Sequence, residues 1–95
     1  MSGYRIDREM RELGDHVRGW RMVLNLTAQQ VCERADISRP TLRKIESGDG
    51  GVSFGSMAQV LRALGQLDGV VAALDPLSSD IGRLRAESLT RKRAR

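Results

Sequence analysis

Apolar residues along the first quarter of the chain recur at Ile6, Met10, Leu13, Val17, Trp20 and Leu24, which places all six on one stripe of an α-helix. Met22 and Val23 broaden that face. Asn25, a residue type that tolerates left-handed geometry, marks the end of the helix. Thr27 followed by Gln30 has the form of a capping box and opens a second, short helix over 28–35. Asp36-Ile37-Ser38 is a three-residue connection. Ser38 is a ready N-cap and Pro40 falls in the first turn, so a third helix runs over 39–47. Gly48, Gly50 and Gly51 interrupt the pattern. Ser53 then caps a fourth helix with apolar positions Phe54, Met57, Val60, Leu61 and Leu64, and Gly65 ends it. Leu67, Val70, Val71 and Leu74 form a fifth short amphipathic segment before Asp75-Pro76. No segment alternates with strand period. The expected fold is all-α, a five-helix bundle over 1–76, with 77–95 as a short basic tail, flexible or ordered by a partner.

A chain of 95 residues has room for one core. No apolar run is long enough to span a bilayer, and Met1 to Arg5 lacks the run of a secretory signal, so the expected location is cytoplasmic. One Cys and one His form neither a disulfide nor a Cys/His metal site. Cys32 reads as a small buried thiol and His16 as a solvated side chain. With no nucleophile and base set and no phosphate-cradling glycine loop, the expectation is a protein that is not an enzyme, with no cofactor and no metal.

Charge changes the picture by its position. Residues 1–77 hold ten basic and ten acidic side chains, whereas residues 78–95 hold six basic against Asp80 and Glu87. The whole excess of four positive charges is in the tail. Within the central segment, Val31, Cys32, Ala35, Ile37, Leu42 and Ile45 form an inward set that locks the second and third helices together. Outward on the third helix remain Arg39, Thr41, Arg43 and Lys44, with Ser38 at its start and no exposed carboxylate before Glu46. Two short helices joined by such a turn can place the second in a DNA major groove while the first crosses the backbone.

Over about residues 10–74 the sequence resembles the XRE family of helix-turn-helix regulators, the phage-repressor and Cro-like domains. The resemblance rests on Leu26-Thr27-Ala28-Gln29-Gln30-Val31-Cys32-Glu33-Arg34-Ala35, on Ile37-Ser38-Arg39-Pro40-Thr41-Leu42-Arg43-Lys44-Ile45-Glu46-Ser47-Gly48, and on Arg18 and Arg21 before them. It implies that Arg39, Pro40, Thr41, Arg43 and Lys44 read base edges. It also implies that Thr27 and Gln29 meet the DNA backbone, with Ser38 a further phosphate contact, and that Arg21 and Glu46 form an internal ion pair. Two positions depart from the family pattern: Cys32 stands where alanine is usual and Asp36 where the turn usually has glycine. Cysteine is close to alanine in size, and aspartate is among the few other residues that visit left-handed geometry.

The function implied is a sequence-specific, double-stranded DNA-binding repressor, a homodimer on a palindromic operator. In the tail, Leu77, Ile81 and Leu84 fall at helical steps between arginines. With Arg91 and Arg93 they are the candidate partner-binding residues. A compact domain with such a tail is similar to HipB-like antitoxins, which implies a HipA-type kinase toxin as partner. The alternatives are a free-standing phage or plasmid-type repressor, and a protein-interaction adaptor that does not read DNA.

Overall fold

The computed structural model describes residues 6–93, with side chains through Thr90. Six α-helices and one 3-10 turn follow one another: α1 Asp7–Val23, α2 Ala28–Ala35, α3 Arg39–Ser47, α4 Phe54–Ala63, α5 Leu67–Leu74, the turn Pro76–Ser78, and α6 Asp80–Arg93. No strand occurs among the described residues. Expectations attached to Met1 to Arg5, to Arg95 and to the side chains of Arg91, Lys92 and Arg93 lie outside the described residues.

Side-chain caps fix where the middle helices begin. Thr27 Oγ1 accepts from the Gln30 N–H at 3.0 Å while Gln30 Oε1 accepts from the Thr27 N–H at 2.8 Å, a complete capping box. Ser38 and Ser53 accept from the Thr41 and Ser56 N–H groups at 3.2 and 3.1 Å, which starts α3 and α4. Left-handed residues end α2 and α3: Asp36 at φ 56° and Gly48 at φ 84°. Val17, Val31, Cys32, Ala35, Leu42, Ile45, Val60 and Leu64 form one core cluster from α1 to the end of α4.

The first helix differs from its sequence pattern. Of the six stripe residues only Val17 is buried and Met10 is half-buried, while Ile6, Leu13, Trp20 and Leu24 are exposed. The physical reason is Gly14, which is buried against α3 so closely that a Cβ there would lie 2.6 Å from the carbonyl oxygens of both Ile45 and Glu46. Helix α1 therefore seats on α3 along Met10, Gly14, Val17 and Arg21, a face rotated from the centre of the hydrophobic stripe. A glycine carries no hydrophobic signal, so the pattern passes over it.

The second difference is a sixth helix where the sequence reading stopped at five. Local bonds make the corner that starts it. Asp75 accepts from the Leu77 N–H at 2.9 Å, Ser79 Oγ accepts from the Gly82 N–H at 3.0 Å, and Arg83 donates to the Leu77 carbonyl at 2.8 Å and to Asp80. Leu77 does not share a strip with Ile81 and Leu84. The extended backbone at Ser79 breaks the helical register, and Leu77 lies beside Arg83, Ala86 and Thr90 on another side of α6. Helix α6 packs chiefly on the 3-10 turn, and the molecule is elongated, 53 × 31 × 20 Å. Its radius of gyration is 16.9 Å, against about 12 Å for a compact chain of this length.

Candidate nucleic-acid interface

Two buried anchors on α3 decide what the helix shows to solvent. Leu42 and Ile45 are one helical turn apart, both 2% exposed, and pack on Val31, Cys32 and Ala35 of α2 with Ile37 half-buried in the turn. Arg39, Pro40, Arg43 and Lys44 are consequently exposed. Thr41 is half-buried, and its Oγ1 lies 2.9 Å from Ser38 Oγ, so these two hydroxyls engage each other at the mouth of α3. At the start of α2, Thr27 and Gln29 are exposed, with Gln29 Nε2 donating to Glu33 at 3.1 Å. That bond uses one of the two amide N–H donors of Gln29 and leaves the second for a phosphate oxygen. Leu77, Ile81 and Leu84 are exposed on the far appendage, and Arg91 and Arg93 belong to the last turn of α6.

Helices α1, α2 and α3 together enclose a shallow depression of about 240 Å³ lined by Arg18, Arg21, Arg39, Arg43 and Glu46, with Leu42 and Ala28 as its apolar patch. Within it Arg21 and Glu46 form a two-point pair, Nε to Oε2 at 2.8 Å and Nη2 to Oε1 at 3.1 Å. Both side chains are largely covered, 18% and 15% exposed. The planar fork of arginine matches the carboxylate, so the pair fixes the relative position of α1 and α3. The hydrogen bonds that Arg21 donates to Glu46 hold it above its ordinary pKa, and desolvation opposes them only in part. Arg21 also reaches the Leu26 carbonyl at 3.5 Å.

With Arg21 and Glu46 neutralising each other, the depression keeps three cations, Arg18, Arg39 and Arg43. None of these has a carboxylate partner among the described residues. Arg18 is the residue that sequence assignment left without a role. Its position one turn before Arg21 on the same helix was the available signal, since residues three apart share a helix face. Chemically, three guanidiniums around a concavity suit an anion with several acceptor oxygens. Beneath them Cys32 is buried, and burial pushes its thiol pKa up, so the neutral thiol acts as a core side chain.

No helix among the described residues is long and apolar enough to cross a membrane. Comparison of the chain with curated proteins and with solved structures finds no match. A family described as a helix-turn-helix domain matches residues 12–74, which runs from within α1 to the end of α5 and takes in the two capped helices, the three-residue turn and the cationic depression. The chain belongs to this family of helix-turn-helix domains.

Proposed function

We propose that the chain is a sequence-specific transcriptional repressor that reads double-stranded DNA as a homodimer on a palindromic operator. The observation that carries this reading is the outward face of α3, where Arg39, Arg43 and Lys44 stand free while Leu42 and Ile45 hold the helix rigid. Arg39, Arg43 and Lys44 donate to guanine O6 and N7, with Thr41 and Pro40 against base edges and methyl groups. Arg18, Thr27, Gln29 and Ser38 hold phosphates on either side. Residues 1–76 are the DNA-binding unit and 77–95 an appendage. A recognition helix of nine residues reads only a few base pairs, so useful specificity needs two copies. Helix α5 favours the dimer: Leu67-Asp68-Gly69-Val70-Val71-Ala72-Ala73-Leu74 is mostly apolar, yet no residue of it is buried in the single chain.

Selection of oligonucleotides from a random pool tests the reading. The full chain enriches a palindromic site with half-sites about one helical turn apart, and Arg39→Ala with Lys44→Ala loses discrimination by about 1 to 3 kcal/mol per lost contact. A pool that shows no enrichment refutes it.

A second reading is the antitoxin of a HipA-type kinase toxin. In its favour, Ile81, Leu84 and Leu89 on α6 are uncovered. Deleting 80–95 would then spare operator binding and abolish capture of such a kinase. Retained capture would refute that role for α6.

A further inference from the structure

Two apolar surfaces of this chain are left uncovered, one a groove and the other a helix. One is a groove of about 360 Å³ between α1, α4 and α5, with Leu13, Trp20, Phe54 and Met57 on its walls and Gly69 and Ala73 along one side. The exposed half of the α1 stripe faces it: Leu13 is 49% and Trp20 41% exposed, and Phe54 at the start of α4 is 76% exposed. Gly69 and Ala73, one turn apart, leave α5 without bulky side chains where another helix backbone could approach. The other surface is α6, whose Ile81 and Leu84 are 64% and 66% exposed one turn apart.

We infer that the groove is the seat for α6 of a second copy of this chain, so that two copies exchange their C-terminal helices. The inference rests on the homodimer reading and names the surfaces that make the dimer. It also spends the helix that the antitoxin reading would leave for a toxin.

Charge favours this occupant. Glu9 and Glu12 lie one helical turn before Leu13 and His16 of the groove wall, so exposed carboxylates flank one end of it. Arg8 pairs with Glu9 and Glu12 at 2.9 and 3.6 Å. Those partners are half or more exposed, where such a pair holds by no more than about 1 kcal/mol and can be traded for another cation. From Arg85 onward α6 carries Arg85, Arg91, Lys92 and Arg93 against Glu87 alone. Carboxylates at one end of an apolar groove suit a helix whose apolar pair is followed by arginines.

The corner between α5 and α6 argues against the chain's own α6 as the occupant. Besides the Asp75, Ser79 and Arg83 bonds, Ser78 Oγ donates to the Asp75 carbonyl at 2.7 Å and Ser79 Oγ to the Pro76 carbonyl at 3.2 Å. Gly82 packs onto the Pro76 carbonyl with no room for a Cβ. The connection is bonded through and tight, so α6 is held off its own body, which gives the molecule its 53 Å length. A helix that cannot fold back can enter a neighbour, and twofold symmetry makes the exchange reciprocal and closed.

A mixed-disulfide experiment on the full chain tests this. Ala73→Cys and Leu84→Cys are made in separate preparations, one carrying a small mass tag, then mixed and mildly oxidised. The expected result is a covalent heterodimer of the two masses, above the yield of either variant alone. Ile81→Asp with Leu84→Asp should leave the circular dichroism intact and weaken the dimer about tenfold or more, because two carboxylates would be desolvated in an apolar seat.

If sedimentation shows a dimer but the heterodimer disulfide is absent and the double aspartate variant dimerises normally, the exchange is wrong and the homodimer reading stands. If the chain is a monomer at tens of micromolar with no cross-link, both fall. A third preparation carrying both Ala73→Cys and Leu84→Cys completes the test: if its disulfide forms within one chain, as a monomer, the exchange is overturned in favour of each helix covering its own groove.

Discussion

Replacing Gly14 and Gly19 by alanine, one at a time, should move stability in opposite directions although both lie in α1. At a solvent-facing helix position alanine is favoured over glycine by about 0.8 to 1 kcal/mol, mostly through backbone entropy. A Cβ at Gly19 meets nothing within 4 Å, so Gly19→Ala should gain about that much. A Cβ at Gly14 would sit 2.6 Å from two carbonyl oxygens of α3, where ordinary contact begins at 3.4 Å. The obstruction is backbone, so no rotamer change relieves it, and α1 must lift from α3 by several tenths of an ångström. Overpacking of this kind costs about 1 to 3 kcal/mol, so Gly14→Ala loses up to about 2 kcal/mol after the helix gain is credited. For a domain this small each kcal/mol is worth about 4 to 8 °C in Tm. Urea and thermal unfolding followed by circular dichroism and by Trp20 fluorescence would measure both. If Gly14→Ala proves as stable as Gly19→Ala, the close seating of α1 on α3 is wrong.

Three further outcomes are expected. Arg21→Ala leaves the covered Glu46 carboxylate without its charged partner and should cost about 1.5 to 3 kcal/mol by urea unfolding, with a non-additive Arg21→Ala, Glu46→Ala double variant showing that the two act as a pair. Cys32 should resist a small thiol reagent at neutral pH, its rate tracking the unfolded fraction. Because burial raises its pKa, the folded state keeps that proton longer than the unfolded state. Stability is therefore unaffected by this group below pH about 8.5 and falls as pH rises above it, a slope that Cys32→Ala should remove. At Asp36, held at φ 56°, glycine should stabilise by about 1 kcal/mol and valine should destabilise, since only the former adopts left-handed geometry without strain; equal melting temperatures for the two would refute this.

The amino-acid sequence by itself determined the central elements of this protein, because their signals are local. Thr27 with Gln30, Ser38 with Pro40, and Ser53 each satisfy backbone donors within three residues, so the starts of α2, α3 and α4 depend on nothing distant. The division of α3 into anchors and cations is likewise fixed by helical period once Leu42 and Ile45 are inward. Tertiary structure decided what depends on residues far apart. Gly14 sets the rotation of α1 only because α3 passes 31 positions later in the chain, and that rotation leaves Leu13 and Trp20 outside the core. Arg18 becomes part of a site only when α1 is laid beside Arg39 and Arg43. The sixth helix hangs on a corner whose fit of Gly82 to Pro76 is invisible to a hydrophobic pattern, because glycine and backbone carbonyls carry no hydropathy and reveal themselves only through distance.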